Sequence, residues 1–363
     1  MKLLIGGSPC THWSIAQTKN RETEASGIGW ELFLNFRIAR DKYKPDYFLY
    51  ENNKSMSPAI RTQITAELGV EPVLINSALV SAQNRQRLYW VGRRNPDGTY
   101  SQVPVEQPED RGILLLDILE TGIAWQEKAY NLTTRFCGAI PSDTLKRHRH
   151  TMVAEPIRIG TIENDAKKHD FDSQQYRVYS PDGKSVTLCG NGGGLGAKTG
   201  LYATLVGSPD GKACPVYEVR DGFITIKGKR YPIKLRDGFY IIRKLTVTEC
   251  KRLQTVPEEY VFPVSNSQAY KMLGNGWTVD VIAHIMSHFE GLTTEPVEVL
   301  SMYDGMSCGH IALDKLGVQP WLLRYYATEI DKYAIQTTQQ NFPETIQLGD
   351  AFQVRNDDWR VKE

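Results

Sequence analysis

The chain has 363 residues, 43 Lys and Arg against 42 Asp and Glu for a formal net charge of +1, and a hydrophobic share of 41%. That length suits roughly two domains with a sizeable core, while 10% aromatic and 23% charged residues exclude collagen-like, coiled-coil and largely disordered chains and a polycationic tail binder. Met1 to Gly7 reaches glycine too early for a signal-peptide core, no run nears the ~20 apolar residues that a bilayer requires, and the six cysteines contain no Cys-x-x-Cys pair. A cytoplasmic protein with reduced thiols, no membrane association and no structural metal is expected.

In chain order, the first 94 residues alternate strand and helix: a strand over 2–5, an amphipathic helix over 30–43, a strand over 46–50, a helix over 58–68, then strands over 73–75 and 87–92. That rhythm predicts βαβ units and a parallel sheet covered by helices. Over 95–242 the texture changes, with turn dipeptides such as Asp97-Gly98, Asp182-Gly183 and Asp210-Gly211 breaking up short β-rich pieces. Strands over 223–226 and 231–235, separated by Lys227-Gly228-Lys229-Arg230, predict a basic hairpin. His148 and His150 have no thiol or carboxylate at ligand spacing and read as part of a solvated basic stretch. From 243 the alternation resumes: helices over 247–254 and 279–289, a strand over 297–302, a helix over 310–316, a strand over 322–328 and a helix over 332–340. The sheet domain is therefore expected in two parts, 1–94 and 243–363, around an inserted β-rich domain over 95–242.

The charge is balanced only in total. Residues 205–245 hold nine Lys/Arg and four Asp/Glu, a net of +5, whereas 289–363 hold six and twelve, a net of −6. Such asymmetry points to one region that faces a polyanion. In the acidic region, the buried-type strand Val297 to Tyr303 runs straight into Asp304-Gly305-Met306-Ser307-Cys308-Gly309 and a helix. Glycines at a strand-to-helix turn let a ligand approach the backbone beyond the carboxyl ends of parallel strands. The next two strands end in Thr328-Glu329 and Gly349-Asp350, so three successive strand ends carry glycine, acid and acid, a pattern suited to an adenosyl ligand.

Together these segments resemble the DNA cytosine-5 methyltransferase family over nearly all of the chain outside 95–242. Gly6-Gly7-Ser8-Pro9-Cys10 resembles the family's Pro-Cys nucleophile loop, Tyr50-Glu51-Asn52 its Glu-Asn motif, and Gln83-Asn84-Arg85-Gln86-Arg87 its Gln-x-Arg-x-Arg motif. Leu245 to Glu249, with Arg252-Leu253-Gln254-Thr255-Val256-Pro257, resembles the motif that closes the recognition domain. Leu273-Gly274-Asn275-Gly276-Trp277 resembles the cap that touches the methionine part of S-adenosylmethionine. The order is permuted, since what usually opens the family's chain stands last here. Joining residue 363 to residue 1 would restore the usual helix-to-strand step before Pro-Cys, which implies a circular permutation.

The resemblance implies an α/β chain with a doubly wound, Rossmann-like, circularly permuted methyltransferase sheet and an inserted target recognition domain, of bacterial or phage type. It implies that S-adenosylmethionine is the methyl donor, leaving S-adenosylhomocysteine, that the target cytosine flips out of double-stranded DNA, and that a cognate restriction endonuclease is a possible partner. Cys10 would attack carbon 6 of cytosine as a thiolate, Glu51 would serve N3, Arg87 the carbonyl oxygen, and Arg85 would support the catalytic loop. Gln83, Arg85 and Arg87, spaced two apart, would share one face of a strand. The cofactor would be held by Pro9, by Tyr303 to Ser307 and Gly309, by Glu329 and Ile330, by Asp350 and Ala351, and by Asn275, Gly276 and Trp277. DNA would meet Thr11, Ser14 and Ala16 on a polar lid after Cys10, Gln83, the glycines Gly192, Gly193 and Gly194, and Lys227, Lys229 and Arg230 of the basic hairpin. Asn53 departs from the Val usual after Glu-Asn. Two rival readings are an RNA cytosine methyltransferase on the same scaffold and an inactive DNA-binding paralogue; the β-rich insertion favours DNA and the intact Cys10 and Glu51 favour an enzyme.

Overall fold

The computed structural model describes residues 1–9, 12–14, 21–156, 160–161, 177–178, 216–226 and 228–361. They divide into two compact units, Met1–Ile113 with Lys251–Glu363, and Leu114–Cys250. Cys10, Thr11, Ala16, Gly192, Gly193, Gly194 and Lys227 lie outside the described residues.

The chain opens with β1 (Lys2–Gly6), whose Leu3, Leu4 and Ile5 are fully buried, as expected of a strand covered on both faces. Helix α1 (Gly27–Tyr43) turns Trp30, Phe33, Phe36, Ala39 and Tyr43 inward at helical spacing and ends where Lys44 adopts a left-handed conformation. Each large side chain so buried contributes about 1.5–3 kcal/mol. Strand β2 (Tyr47–Asn53) is buried along its whole length. Helix α2 (Pro58–Leu68) has both of its ends written in sequence: Ser57 accepts from the Ile60 N–H at 3.3 Å, Pro58 opens the first turn and Gly69 closes the last. Next come β3 (Pro72–Asn76), β4 (Gln86–Arg94) and β5 (Tyr100–Gln102), joined antiparallel to one another, with β4 also antiparallel to β2. The sheet is therefore mixed rather than wholly parallel, and since β5 pairs with β4, its unit runs on past residue 94.

In the second unit α3 (Pro141–Arg147) precedes β6 (Met152–Pro156), a small ladder of β7 (Gly160–Thr161) with β8 (Arg177–Val178), then β9 (Val216–Arg220), β10 (Phe223–Ile226), β11 (Lys229–Pro232) and β12 (Gly238–Lys244). Five of these strands make an antiparallel sheet in the order β11-β10-β9-β12-β6. Its core gathers Met152, Ala154, Val219, Ile224, Ile226, Tyr240 and Ile242. The hairpin is tighter than expected: Thr225 pairs with Arg230 and Ile226 with Lys229, so both basic residues stand on a strand and not in the turn.

Helix α4 (Val247–Leu253) starts at a capping box in which Thr246 N–H donates to Glu249 at 2.8 Å and Glu249 N–H donates to the Thr246 hydroxyl at 3.1 Å. After α5 (Asn266–Asn275) and α6 (Val279–Met286), the chain returns to the first unit's sheet through β13 (Val297–Met302), α7 (Cys308–Lys315), β14 (Leu323–Thr328), α8 (Lys332–Asn341) and β15 (Ile346–Gly349). The sheet order is β15-β14-β13-β1-β2-β4-β3, parallel from β15 to β2, so the first strand of the chain lies mid-sheet between β13 and β2. Gly6, Met302, Thr328 and Gly349 consequently end on one edge. Among the described residues, no helix is long and apolar enough to cross a membrane.

Candidate active site

The carboxyl edge of the sheet carries two groups of residues. The first surrounds Glu51, near the end of β2. Its Oε1 meets Nε of Arg87 at 3.0 Å and its Oε2 accepts the indole N–H of Trp277 at 3.0 Å. The segment after β1 passes so close that a side-chain carbon on Gly7 would stand 2.8 Å from the Glu51 carbonyl oxygen and 2.9 Å from Oε2, so only glycine fits. Asn52 donates to the Ser8 carbonyl at 3.2 Å and to the Tyr50 hydroxyl at 3.2 Å, and the Ser8 and Tyr50 hydroxyls are 2.7 Å apart. The Glu-Asn pair thus faces two ways: Glu51 presents its acid and Asn52 pins the backbone two residues before Cys10. Asn53, which replaces the expected Val, is buried, and its amide donates to Asn52 at 3.3 Å.

Arg85 donates to the carbonyls of Gly274 at 3.3 Å and Gly276 at 2.8 Å, where Gln254 also donates to Leu273 O at 2.6 Å and Gly276 O at 3.3 Å. The expectation that Gln83, Arg85 and Arg87 share a strand face fails: β4 begins only at Gln86, and Gln83 is fully buried. A buried Gln83 has no surface to offer DNA. Trp13, which lies between Thr11 and Ser14 of the expected polar lid, is likewise fully buried in the core, its indole N–H donating to Glu22 at 3.1 Å. Ser14 is half-buried, and Lys229 and Arg230 are exposed.

The second group lines the ends of β13, β14 and β15. Tyr303, Gly305 and Ser307 all take left-handed backbone angles, with φ of 60, 60 and 56°. At Gly305 nothing lies within 4 Å of where a side chain would start, and its N–H donates to Glu329 Oε2 at 2.8 Å. Glu329 Oε1 accepts the N–H groups of Ile330 at 2.7 Å and Asp331 at 2.8 Å. Three backbone donors fix this carboxylate, and of roughly four acceptor positions about one is left. Ile330 beside it is 74% exposed. Asp350 accepts the Phe352 N–H at 2.9 Å as a helix cap, and Pro9 and Asn275 are exposed.

Several expected ligand contacts are spent inside the protein instead. The Ser307 hydroxyl lies against Asp304 and Thr338. Met306 and Ala351 are buried, and a side chain on Gly309 would strike Ile5. Asp304 accepts the Tyr325 hydroxyl at 2.8 Å, and burial pushes its carboxyl up to about 6. Burial also pushes the Cys308 thiol up to about 12 and the Cys250 thiol well above the usual range, so both are packing residues. Tyr303 rests on a network that no local motif announces: its hydroxyl donates to Leu32 O at 2.7 Å and Asn35 donates to it at 3.3 Å, while Arg355 donates to Asn35 at 2.6 Å. Gln254, within the Arg252 to Pro257 motif, adds a support that the sequence alone does not reveal, since its partners lie about twenty residues on. No group of metal-ligating side chains occurs among the described residues.

A family model described as C-5 cytosine-specific DNA methylase matches residues 1–290. The chain is 27% identical over 294 residues to the type II methyltransferase M.HpaII of Haemophilus parainfluenzae, covering 77% of this chain and 69% of that one. It is 24% identical over 365 aligned positions to the orphan methyltransferase M.SPRI of Bacillus phage SPR, covering 78% and 81%. A shorter stretch of 201 residues is 41% identical to the type II methyltransferase M.MspI of Moraxella sp, covering 52% and 41%.

Proposed function

Because the chain belongs to the C-5 cytosine-specific DNA methylase family, we propose that it methylates carbon 5 of a cytosine flipped out of double-stranded DNA, through a covalent bond from Cys10 to carbon 6. Unstacking the base costs a few kcal/mol, and it is needed because the target carbon is out of reach inside a duplex. The observation that carries the reading is the Glu51 carboxylate clamped between Arg87 and Trp277 and packed on Gly7, immediately before the Pro9-Cys10 pair.

In this reading the Cys10 thiolate adds to carbon 6, while Glu51 supplies a hydrogen bond or proton at N3 and Arg87 faces the base's carbonyl oxygen; once methylated, carbon 5 loses its proton and the sulfur–carbon 6 bond breaks to return the Cys10 thiolate. Arg85 acts one step back, by fixing the Gly274–Gly276 carbonyls that carry Trp277 into place. S-adenosylmethionine fits the second group of residues: the open face at Gly305, the remaining acceptor position of Glu329 for a ribose hydroxyl and the exposed Ile330 for a flat ring. When bound, it supplies an electrophilic methyl group. Tyr303, Asp350, Asn275 and Gly276 border that crevice, whereas Met306, Ser307, Gly309 and Ala351 shape it from behind.

The permuted order belongs to the same proposal. The family match stops at 290, ahead of β13, and β13 lies beside β1. Residues 297–350 then supply, from the end of the chain, the cofactor half of the sheet. Unit Leu114–Cys250, with exposed Lys229 and Arg230, is proposed as the target recognition domain. A cognate endonuclease is proposed by analogy with the type II relatives.

DNA containing 5-fluorocytosine, incubated with the protein and S-adenosylmethionine, tests the chemistry. Wild type should form a covalent adduct and Cys10→Ala none; an adduct that persists in Cys10→Ala, or methylation of tRNA with none of DNA, overturns the proposal.

A further inference from the structure

We infer that Trp277 is a positioning residue for Glu51, using its indole N–H to fix the carboxylate, and is not simply a wall of the cofactor crevice. The inference rests on the proposed role of Glu51. Two side chains grip that carboxylate, one per oxygen: Arg87 on Oε1 at 3.0 Å and Trp277 on Oε2 at 3.0 Å. Arg87 alone would leave the group free to swing about a single contact. Gly7 crowds the same Oε2, so the oxygen sits between the indole and the segment leading to Cys10.

Trp277 is itself placed from the cofactor side. It directly follows Gly276, whose carbonyl accepts from both Arg85 and Gln254. A side-chain carbon at Gly276 would stand 3.5 Å from the sulfur of Met306, in the turn after β13, and 3.1 Å from that of Cys308, the first residue of α7. One short segment, 274–277, therefore leans on the cofactor turn with its backbone and holds the catalytic acid with its side chain. A hydrogen bond between a neutral donor and a charged acceptor in a half-buried site is among the stronger kinds, and its loss costs about tenfold in rate.

The test compares wild type, Trp277→Phe and a chain carrying 3-benzothienylalanine at 277, which keeps the ring shape and removes only the N–H. Single-turnover methylation of duplex DNA is measured at saturating S-adenosylmethionine, with S-adenosylhomocysteine affinity measured by calorimetry. Both replacements should slow methyl transfer about tenfold, with cofactor affinity and the KM for DNA within twofold of wild type. In a Glu51→Gln background the same replacements should cost less than twofold. A rate within twofold of wild type overturns the inference. So does a tenfold weaker cofactor with the saturated rate preserved, or a full tenfold loss in the Glu51→Gln background. Wild type that methylates no DNA would instead overturn the functional reading beneath it.

Discussion

Glu51 and Glu329 stand on the same edge of one sheet and are held in opposite ways. Glu329 is fixed by three backbone N–H groups, from Gly305, Ile330 and Asp331, two of them within two residues of it. Glu51 is fixed by two side chains, Arg87 and Trp277, the latter 226 residues further along the chain. Backbone donors cannot rotate away, and they suit an acid that only receives ligand hydroxyls. Side-chain donors can yield, and they suit an acid that must exchange its partners for a substrate. Glu51→Gln should break this comparison most visibly. An amide cannot accept on both sides, and loss of a positioned acid costs about 10³-fold in the saturated rate, with cofactor affinity unchanged by calorimetry. A matching loss of cofactor affinity would erase the distinction between the two acids.

A third acid, Glu249, belongs to neither group at the sheet edge and mixes both modes. It is fully buried, pairs with Arg243 at 2.9 Å through each oxygen, and accepts the N–H groups of Glu120 at 2.9 Å and Thr246 at 2.8 Å. Glu249→Gln leaves the Arg243 charge partly uncompensated and should cost about 3 kcal/mol in urea unfolding. The double change Arg243→Met with Glu249→Leu should recover much of that, since replacing both members of a buried pair is far cheaper than breaking it. The contrast with Glu51 is then between an acid expected to set stability and one proposed to set rate.

Behind Gly305, Asp304 and His310 sharpen the comparison through pH. Both contact Tyr325: Asp304 accepts its hydroxyl at 2.8 Å, and the His310 ring stacks on it at 4.6 Å. Burial raises Asp304 to about 6 and lowers His310 to about 4. A raised carboxyl binds its proton more tightly in the fold, so its contribution to stability falls as pH climbs from about 4 to 6. A lowered imidazole does the reverse, and its contribution is lost as pH falls through the same window. Between these two groups the trends oppose and nearly cancel, so neither shows by itself in the wild-type profile. Asp304→Asn removes one of them and should uncover a rise of about 2 kcal/mol between pH 4 and 6, read by denaturant titration. A profile without that rise in the variant would mean that His310 does not titrate as its burial requires.

What could be read from sequence follows the same division. Local devices were legible: the Pro58–Leu68 helix, the Val297–Met302 strand, and the glycine and acid at successive strand ends. Their causes lie within a few residues. The partners of Glu51, the burial of Gln83 and Trp13, and the support of Tyr303 by Asn35 and Arg355 were not, because each depends on residues brought together from distant parts of the chain. Likewise, the alternation of strand and helix gave the elements but not the reversed direction of β4, since a strand buried on both faces shows no period that records its direction.

Glu329→Gln carries the smallest effect and the finest discrimination. Glutamine keeps the volume but replaces one acceptor oxygen with a donor, which must then face either the Gly305 N–H or the N–H pair of Ile330 and Asp331. The turn loses one fixed contact, and the remaining acceptor position is no longer charged. Affinity for S-adenosylhomocysteine should fall about tenfold, about 1.4 kcal/mol, while the rate at saturating cofactor stays within twofold. Glu51→Gln should show the mirror pattern. If the two variants lose affinity and rate in the same proportion, the edge of the sheet works as one unit, and the difference in how it holds its acids has no functional meaning.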